Sequence, residues 1–240
     1  GSYPSLYLSK FNPVAVLKGR LNSSAGELST RKGLVLFQSM FSVILIICTW
    51  IVYKQIEMVQ TKKLGYIRDK IVYFEKGVNE ASRKNTAFEA ELGLFLQELK
   101  ALPGVLNATN FRHSITNRQG GTSDVVWEGK DPDNSISFTD LAVGYDFIET
   151  LGIEMKEGRS FSREYGADSA RLIFNEAAIA KMGLKDPVGK HVKMWGQDME
   201  IAGVAKNFHF ESLHTGIKPL LFMLLPQQTY YIMVRMQAGK

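Results

Sequence analysis

Four histidines, one cysteine and a lysine that follows a glycine are the residues whose types and spacing could carry chemistry in this 240-residue chain. The segment from Gly183 to His191 (GLKDPVGKH) approaches a phosphate-binding loop, in which four residues separate two glycines and a hydroxyl side chain after the lysine holds magnesium. Here five residues separate Gly183 from Gly189, and His191 follows Lys190 in place of the hydroxyl. Pro187 and Gly189 read instead as turn residues between a helix and the next strand. His209 and His214 are five apart, so they share neither a helix face nor a strand face, and no cysteine lies near to complete a metal site. They read as surface or turn histidines; His209 with Glu211 would titrate near neutral pH if the two were buried together. Gly-x-Ser-x-Gly is missing, and Ser, His and Asp occur at no spacing that marks a nucleophile and its base. The reading therefore assigns no catalytic residue, no cofactor and no metal.

With 45% apolar and 22% charged residues the chain can bury a real core, which excludes a disordered tail or a collagen-like repeat. A lone cysteine, Cys48, excludes an internal disulfide framework. The net charge of +5 is unevenly spread. Residues 1–54 hold Lys10, Lys18, Arg20, Arg31, Lys32 and Lys54 against Glu27, while the rest of the chain holds 23 basic and 23 acidic side chains. A neutral body lacks the electrostatic footprint of phosphate binding, so nucleic acid is set aside.

Between Lys32 and Lys54 lie 21 residues without a charge, GLVLFQSMFSVILIICTWIVY. At helical rise these span roughly 31 Å against a hydrocarbon core of about 30 Å, so residues 33–53 read as a transmembrane helix in a lipid bilayer. Trp50 and Tyr53 near its end suit an interfacial aromatic belt. A cleaved signal peptide would be shorter and would end in a small-residue site. Leu45-Ile46-Ile47-Cys48 departs from a lipoprotein box because Ile47 stands where a small residue belongs, so Cys48 reads as a lipid-level side chain. The basic residues before the span put the N-terminal side in the cytoplasm.

Residues 1–32 read as a cytoplasmic interfacial arm followed by a polar linker, NSSAGELST, and residues 54–65 as a stalk that continues the membrane helix to a terminator at Gly65. Beyond it, 66–240 reads as a folded domain, incomplete at its C-terminus. Strands are expected at Asp69 to Glu75, Val105 to Arg112, Ile136 to Val143, whose broken alternation allows a bulge, Met199 to Ala205, Leu220 to Leu225 and Tyr230 to Met236, while Val125 to Trp127 reads as a short apolar piece in a polar, Gly-rich stretch and Leu172 to Phe174 as the lead into a helix. Phe88, Leu92, Phe95, Leu96 and Leu99 recur at helical spacing and predict a core-packing helix, with Thr86 and Glu89 as a capping box and Pro103-Gly104 as its end. Short helices are expected at Tyr145 to Leu151 and Asn175 to Met182, closed by Gly152 and Gly183. Mixed helix and strand order gives an α+β class with a mixed sheet.

Several strings in this order resemble MacB/FtsX-type ABC transporter permeases. YPSLYLSKFNPVAVLKG (3–19) is similar to the segment joining the halves of double-length members, and residues 31–66 to the membrane helix and stalk opening the second half. LPGV (102–105), TLGIEMKEGRSFS (150–162), NEAAIAKMGLKDPVGK (175–190) and IAGVAKNFHFESLHTGIKP (201–219) are similar to the periplasmic core domain. The matching positions are Gly158, Arg159, Phe161, Asn175, Pro187, Gly189, Gly203, Val204, Phe208 and Pro219, read as structural rather than functional. Asn207 departs from the pattern, standing where many relatives carry aspartate.

The resemblance implies a non-catalytic permease piece in the bacterial inner membrane, its core domain in the periplasm. It implies as partners a separate cytoplasmic ABC ATPase and a periplasmic or outer-membrane protein, with ATP-driven motion passing through the stalk for export or mechanotransmission. The alternative is a single-pass sensor with an extracytoplasmic ligand-binding domain, which leaves the interfacial arm and the DPVGK-like strings unexplained. A membrane-anchored hydrolase has no sequence feature in its favour.

Overall fold

The computed structural model describes residues 25–61, 64–67, 69–76, 86–112, 121–131, 135–166, 168–210 and 216–237. The interfacial arm, Thr86's capping side chain, Glu211, His214 and residues 117–120 lie outside them. The chain divides into two units, Gly1–Lys62 and Lys63–Lys240.

The first unit carries one described helix, α1 (Ala25–Thr61). All side chains described from Ser29 to Val59 are exposed, a pattern that suits lipid and not a soluble core. Ser42 Oγ donates to Gln38 O at 2.9 Å and Thr49 Oγ1 to Leu45 O at 2.8 Å, so neither hydroxyl carries an unpaired donor into hydrocarbon. Cys48 is exposed on the same helix. Residues 25–30, expected as linker, are helical. Extending an established helix costs far less than nucleating one, and only Gly26 among them strongly opposes extension. The described helix reaches Thr61, and Leu64 to Ile67 are not helical.

The second unit is a ten-stranded mixed sheet, confirming the α+β class. Its strands are β1 (Ile71–Glu75), β2 (Val105–Phe111), β3 (Val125–Trp127), β4 (Thr139–Val143), β5 (Met155–Gly158), β6 (Arg171–Asn175), β7 (His191–Met194), β8 (Gln197–Ala205), β9 (Leu220–Leu224) and β10 (Tyr231–Met236). They run in the order β1-β10-β2-β4-β9-β6-β8-β7-β3, with β5 beside β8 off that path. The β4/β9 and β6/β8 pairs are parallel and the others antiparallel. Helix α2 (Thr86–Ala101) lays Phe88, Leu92 and Leu96 on Ala108, Ile232 and Val234. Tyr231 and Met233 face the opposite way, toward Phe111, Phe147 and Phe222, as the alternation along β10 predicts. Helices α3 (Phe147–Leu151) and α4 (Glu176–Met182) close on Gly152 and Gly183, both left-handed.

Three expectations change. The strand predicted from Asp69 starts at Ile71, because Lys70 turns with φ 63°. The strand predicted from Ile136 starts at Thr139, and its broken alternation reflects burial on both faces rather than a bulge. The register shifts fall instead at Met155/Glu157, Leu172/Ile173 and Arg235/Met236.

Candidate functional site

The positions matched in Gly158-Arg159-Ser160-Phe161 and Gly203-Val204 meet where β5 pairs antiparallel with β8. Gly158 has φ +70°, and a Cβ there would lie 2.3 Å from Ala202 O; one on Gly203 would lie 2.6 Å from Arg159 O. The two backbones approach so closely that neither tolerates a side chain. Val204 and Phe161 are buried beside this pairing.

Arg159 then reaches into the loop that follows. Its Nη1 and Nη2 donate to Asp168 Oδ2 and Oδ1, both at 2.7 Å, and its guanidinium lies 3.9 Å from the Tyr165 ring centroid. Asp168 also accepts from Ser162 N and from Arg171 Nη1, each at 2.8 Å, and Arg171 pairs with Glu200 at 3.1 Å. The Arg159 hydrogen bonds hold the Asp168 carboxyl well below the usual carboxylate range, and the Ser162 and Arg171 donors add to this. Asp168, Arg171 and Glu200 were not read from the sequence, which carries no spacing signal for a network drawn from three segments.

A second cluster gathers on Asn175, which is fully buried. Its Oδ1 accepts from Ala178 N at 2.9 Å, capping α4, and from Leu220 N at 3.0 Å, while Nδ2 donates to Lys218 O at 2.8 Å. Pro219 continues this tie, its carbonyl accepting from Thr139 N at 2.9 Å. Pro187 and Gly189 sit apart from both clusters. Pro187 O accepts from Lys190 N, and Gly189 turns with φ +83° at a point where a Cβ would meet nothing. Because Gly183 ends α4 instead of preceding a helix, this segment presents no helix N-terminus to a phosphate.

Phe208 belongs to a third arrangement, which fastens the first residues of the second unit. His209 N donates to Leu64 O at 2.8 Å, and Ile67 N to Leu151 O at 2.7 Å. Tyr66 packs edge-on against Phe208, which stacks on Phe222 at 6.0 Å in the core. Gly65, at φ +81°, is required here by close approach: a Cβ would lie 2.8 Å from Asn207 O and 2.9 Å from Phe208 Cα.

Between α2 and the sheet lies a cleft of about 210 Å³ with both signs of charge on its walls, Glu89 and Asp146 against Lys100 and Arg163. Lys100 pairs with Asp146, which turns with φ 63° ahead of α3. Arg163 lies 4.6 Å from the Tyr145 ring centroid. Burial pushes the Tyr145 phenol up, against the pull of that guanidinium. Among the described residues, no three His, Cys, Asp or Glu side chains gather as metal ligands.

None of the curated proteins matches the chain. Among solved structures it is similar to the periplasmic region of MacB from Actinobacillus actinomycetemcomitans, at 14% identity and a TM-score of 0.46, covering 73% of this chain and 78% of that one. It is similar also to the extracellular domain of the noncanonic ABC-type transporter YknZ from Gram-positive bacteria, at 17% identity and a TM-score of 0.45, covering 70% and 84%. Residues 40–240 match the MacB-like periplasmic core domain, and a chain matched over that span belongs to this family, that of MacB/FtsX-type ABC transporter permeases.

Proposed function

We propose that this chain transmits motion between the membrane and a periplasmic domain, in a permease driven by a separate cytoplasmic ABC ATPase. The observation that carries the reading is the continuity of α1. The charge-free stretch ends at Tyr53, yet the helix runs to Thr61 without a break. A helix that leaves the hydrocarbon intact is a stiff element, and stiffness is what a lever needs. Supporting it, Leu64 to Ile67 are hydrogen-bonded to His209 and Leu151, so a pull on this segment would reach the core rather than be absorbed in a slack loop.

In this reading residues 1–32 lie on the cytoplasmic side of the bacterial inner membrane, 33–53 cross it, 54–65 form the stalk, and 66–240 act in the periplasm on exported cargo or on a periplasmic or outer-membrane protein. The chain itself performs no chemistry. The topology is tested by replacing Cys48 with alanine and placing single cysteines at Lys18 and at Trp195, which is 51% exposed. A membrane-impermeant maleimide applied to spheroplasts should label Trp195→Cys at once and Lys18→Cys only after permeabilisation. Equal labelling of both in intact spheroplasts would overturn the reading.

A further inference from the structure

Helix α2 carries a glycine, Gly93, in its middle, a residue that weakens a helix unless the space it leaves is used. The space faces Arg163: a Cβ on Gly93 would lie 3.6 Å from Arg163 Nη2, and a longer side chain would fill the cleft. Two opposite charges border the same cleft without neutralising each other. Arg163 stacks on Tyr145 and, among the described residues, makes no ion pair. Glu89, one helical turn before Gly93, accepts a hydrogen bond from Gln227 Nε2 at 3.1 Å and has no cation within 4.0 Å among the described residues. The neighbouring Lys100 and Asp146 satisfy each other, so they do not compete.

A buried amide, Asn110, also lines the cleft. Asn110 is 2% exposed and spends its amide protons on Pro226 O at 3.0 Å and Thr229 Oγ1 at 2.7 Å. Its Oδ1 packs against Gly144. Arg163 is held in place by its loop. Ser162, beside it, donates its N–H to the same Asp168 that Arg159 grips, and Ser162 Oγ accepts from Glu164 N at 3.2 Å.

We propose that this cleft binds a compact zwitterion of the α-amino-acid class, with its carboxylate on Arg163, its ammonium on Glu89, and its side chain against Leu92 and Leu96. A simple anion would satisfy Arg163 but meet Glu89, and a simple cation would satisfy Glu89 but meet Arg163. A ligand that carries both charges matches both walls. The loop and helix that carry the two charges are already fixed, so little ordering is needed on binding.

The test uses the full chain in detergent micelles, titrated by calorimetry with L-alanine and with its two halves, propionate and ethylamine. L-Alanine is expected to bind saturably and at least about tenfold more tightly than either half. Arg163→Gln and Glu89→Gln, both conservative changes at the surface, should each weaken L-alanine by about tenfold or more, and Glu89→Gln should shift preference toward propionate. Unchanged thermal unfolding of these variants separates lost binding from lost fold. Absence of saturable binding, or propionate binding as tightly as L-alanine, overturns the proposal. No ATPase enters the measurement, so its failure would leave the permease reading untouched.

Discussion

The backbone N–H of Asn207 donates to Glu176 Oε2 at 3.0 Å, and the Asn207 side-chain oxygen accepts from the N–H of Ala177, also at 3.0 Å. The clasp joins the first turn of α4 to the segment after β8 and supplies a partner for an otherwise orphan helix N–H. The Asn207 N–H is the main cause holding the Glu176 carboxyl below its ordinary value, and Lys156 adds to it from 3.1 Å. Position 207 needs only an acceptor, which asparagine and aspartate both supply. Asn207→Asp should therefore unfold close to wild type, its charge favoured by the helix start and opposed by Glu176. Asn207→Leu strands the Ala177 N–H and should cost about 1–2 kcal/mol. In a domain of this size that lowers Tm by roughly 2–8 °C, measurable by scanning fluorimetry. A leucine variant as stable as wild type would show that the clasp contributes nothing.

Gly203 and Gly189 are glycines for different reasons, and asparagine tells them apart. Gly189 needs a left-handed backbone and has open space around it. Asparagine adopts that conformation with little strain, so Gly189→Asn should be nearly neutral. Gly203 needs no unusual φ but faces Arg159 O and N at 2.6 and 2.9 Å from where a Cβ would sit. Gly203→Asn and even Gly203→Ala should cost on the order of 1–3 kcal/mol, because backbone cannot move aside as a flexible side chain can. Denaturant midpoints would reveal the contrast, and equal effects at the two sites would refute it.

Asp168 gives a pH signature. Its carboxylate is fully buried under four donors, while its partners Arg159 and Arg171 are 29% and 22% exposed. Asp168→Asn leaves guanidinium protons facing an amide and should cost on the order of 2–3 kcal/mol near neutrality, less than a wholly buried pair would lose. Because the folded carboxyl titrates below the unfolded one, this stabilisation is whole above about pH 4 and is lost as pH falls through the depressed folded value. Other carboxylates titrate in both proteins, so the informative quantity is the Tm difference between wild type and Asp168→Asn. It should stay constant from neutrality down to about pH 4 and shrink below that. A difference independent of pH would mean that the ion pairs do not set it.

What the sequence made legible was local. The α2 stripe from Phe88 to Leu99, the Asn175 cap and the Gly183 terminator each rest on residues within one helix, where spacing alone carries the signal. Strand β5, Met-Lys-Glu-Gly, shows no apolar alternation, and it is a strand because Gly158 and Gly203 let it press on β8. Strand β7 does alternate, burying Val192 and Met194, but four residues are too few to stand out. The matched positions divided among a strand pairing, a cap, a turn and the packing of Phe208 under Tyr66 instead of converging on one site. Arg163 and Glu89, which do share a cleft, come from distant segments whose approach is created by packing of α2 on the sheet.

The proposed lever makes its own prediction at Ile56, beyond the apolar stretch and within α1. Proline there removes the N–H that bonds to the carbonyl of Val52, and its ring clashes with the same carbonyl. The result is a kink or break costing about 3 kcal/mol in helix continuity, placed between bilayer and domain. Ile56→Leu keeps the helix and serves as the control. With the permease and its ATPase in nanodiscs, the proline variant should hydrolyse ATP while the nucleotide-dependent change in the periplasmic domain is lost. That change can be read from a fluorophore on a cysteine at Trp195 in a Cys48→Ala background. The leucine control should retain both activities. If the proline variant, present at the same level in the membrane, responds to ATP as the control does, then α1 does not act as a rigid element and the transmission reading fails.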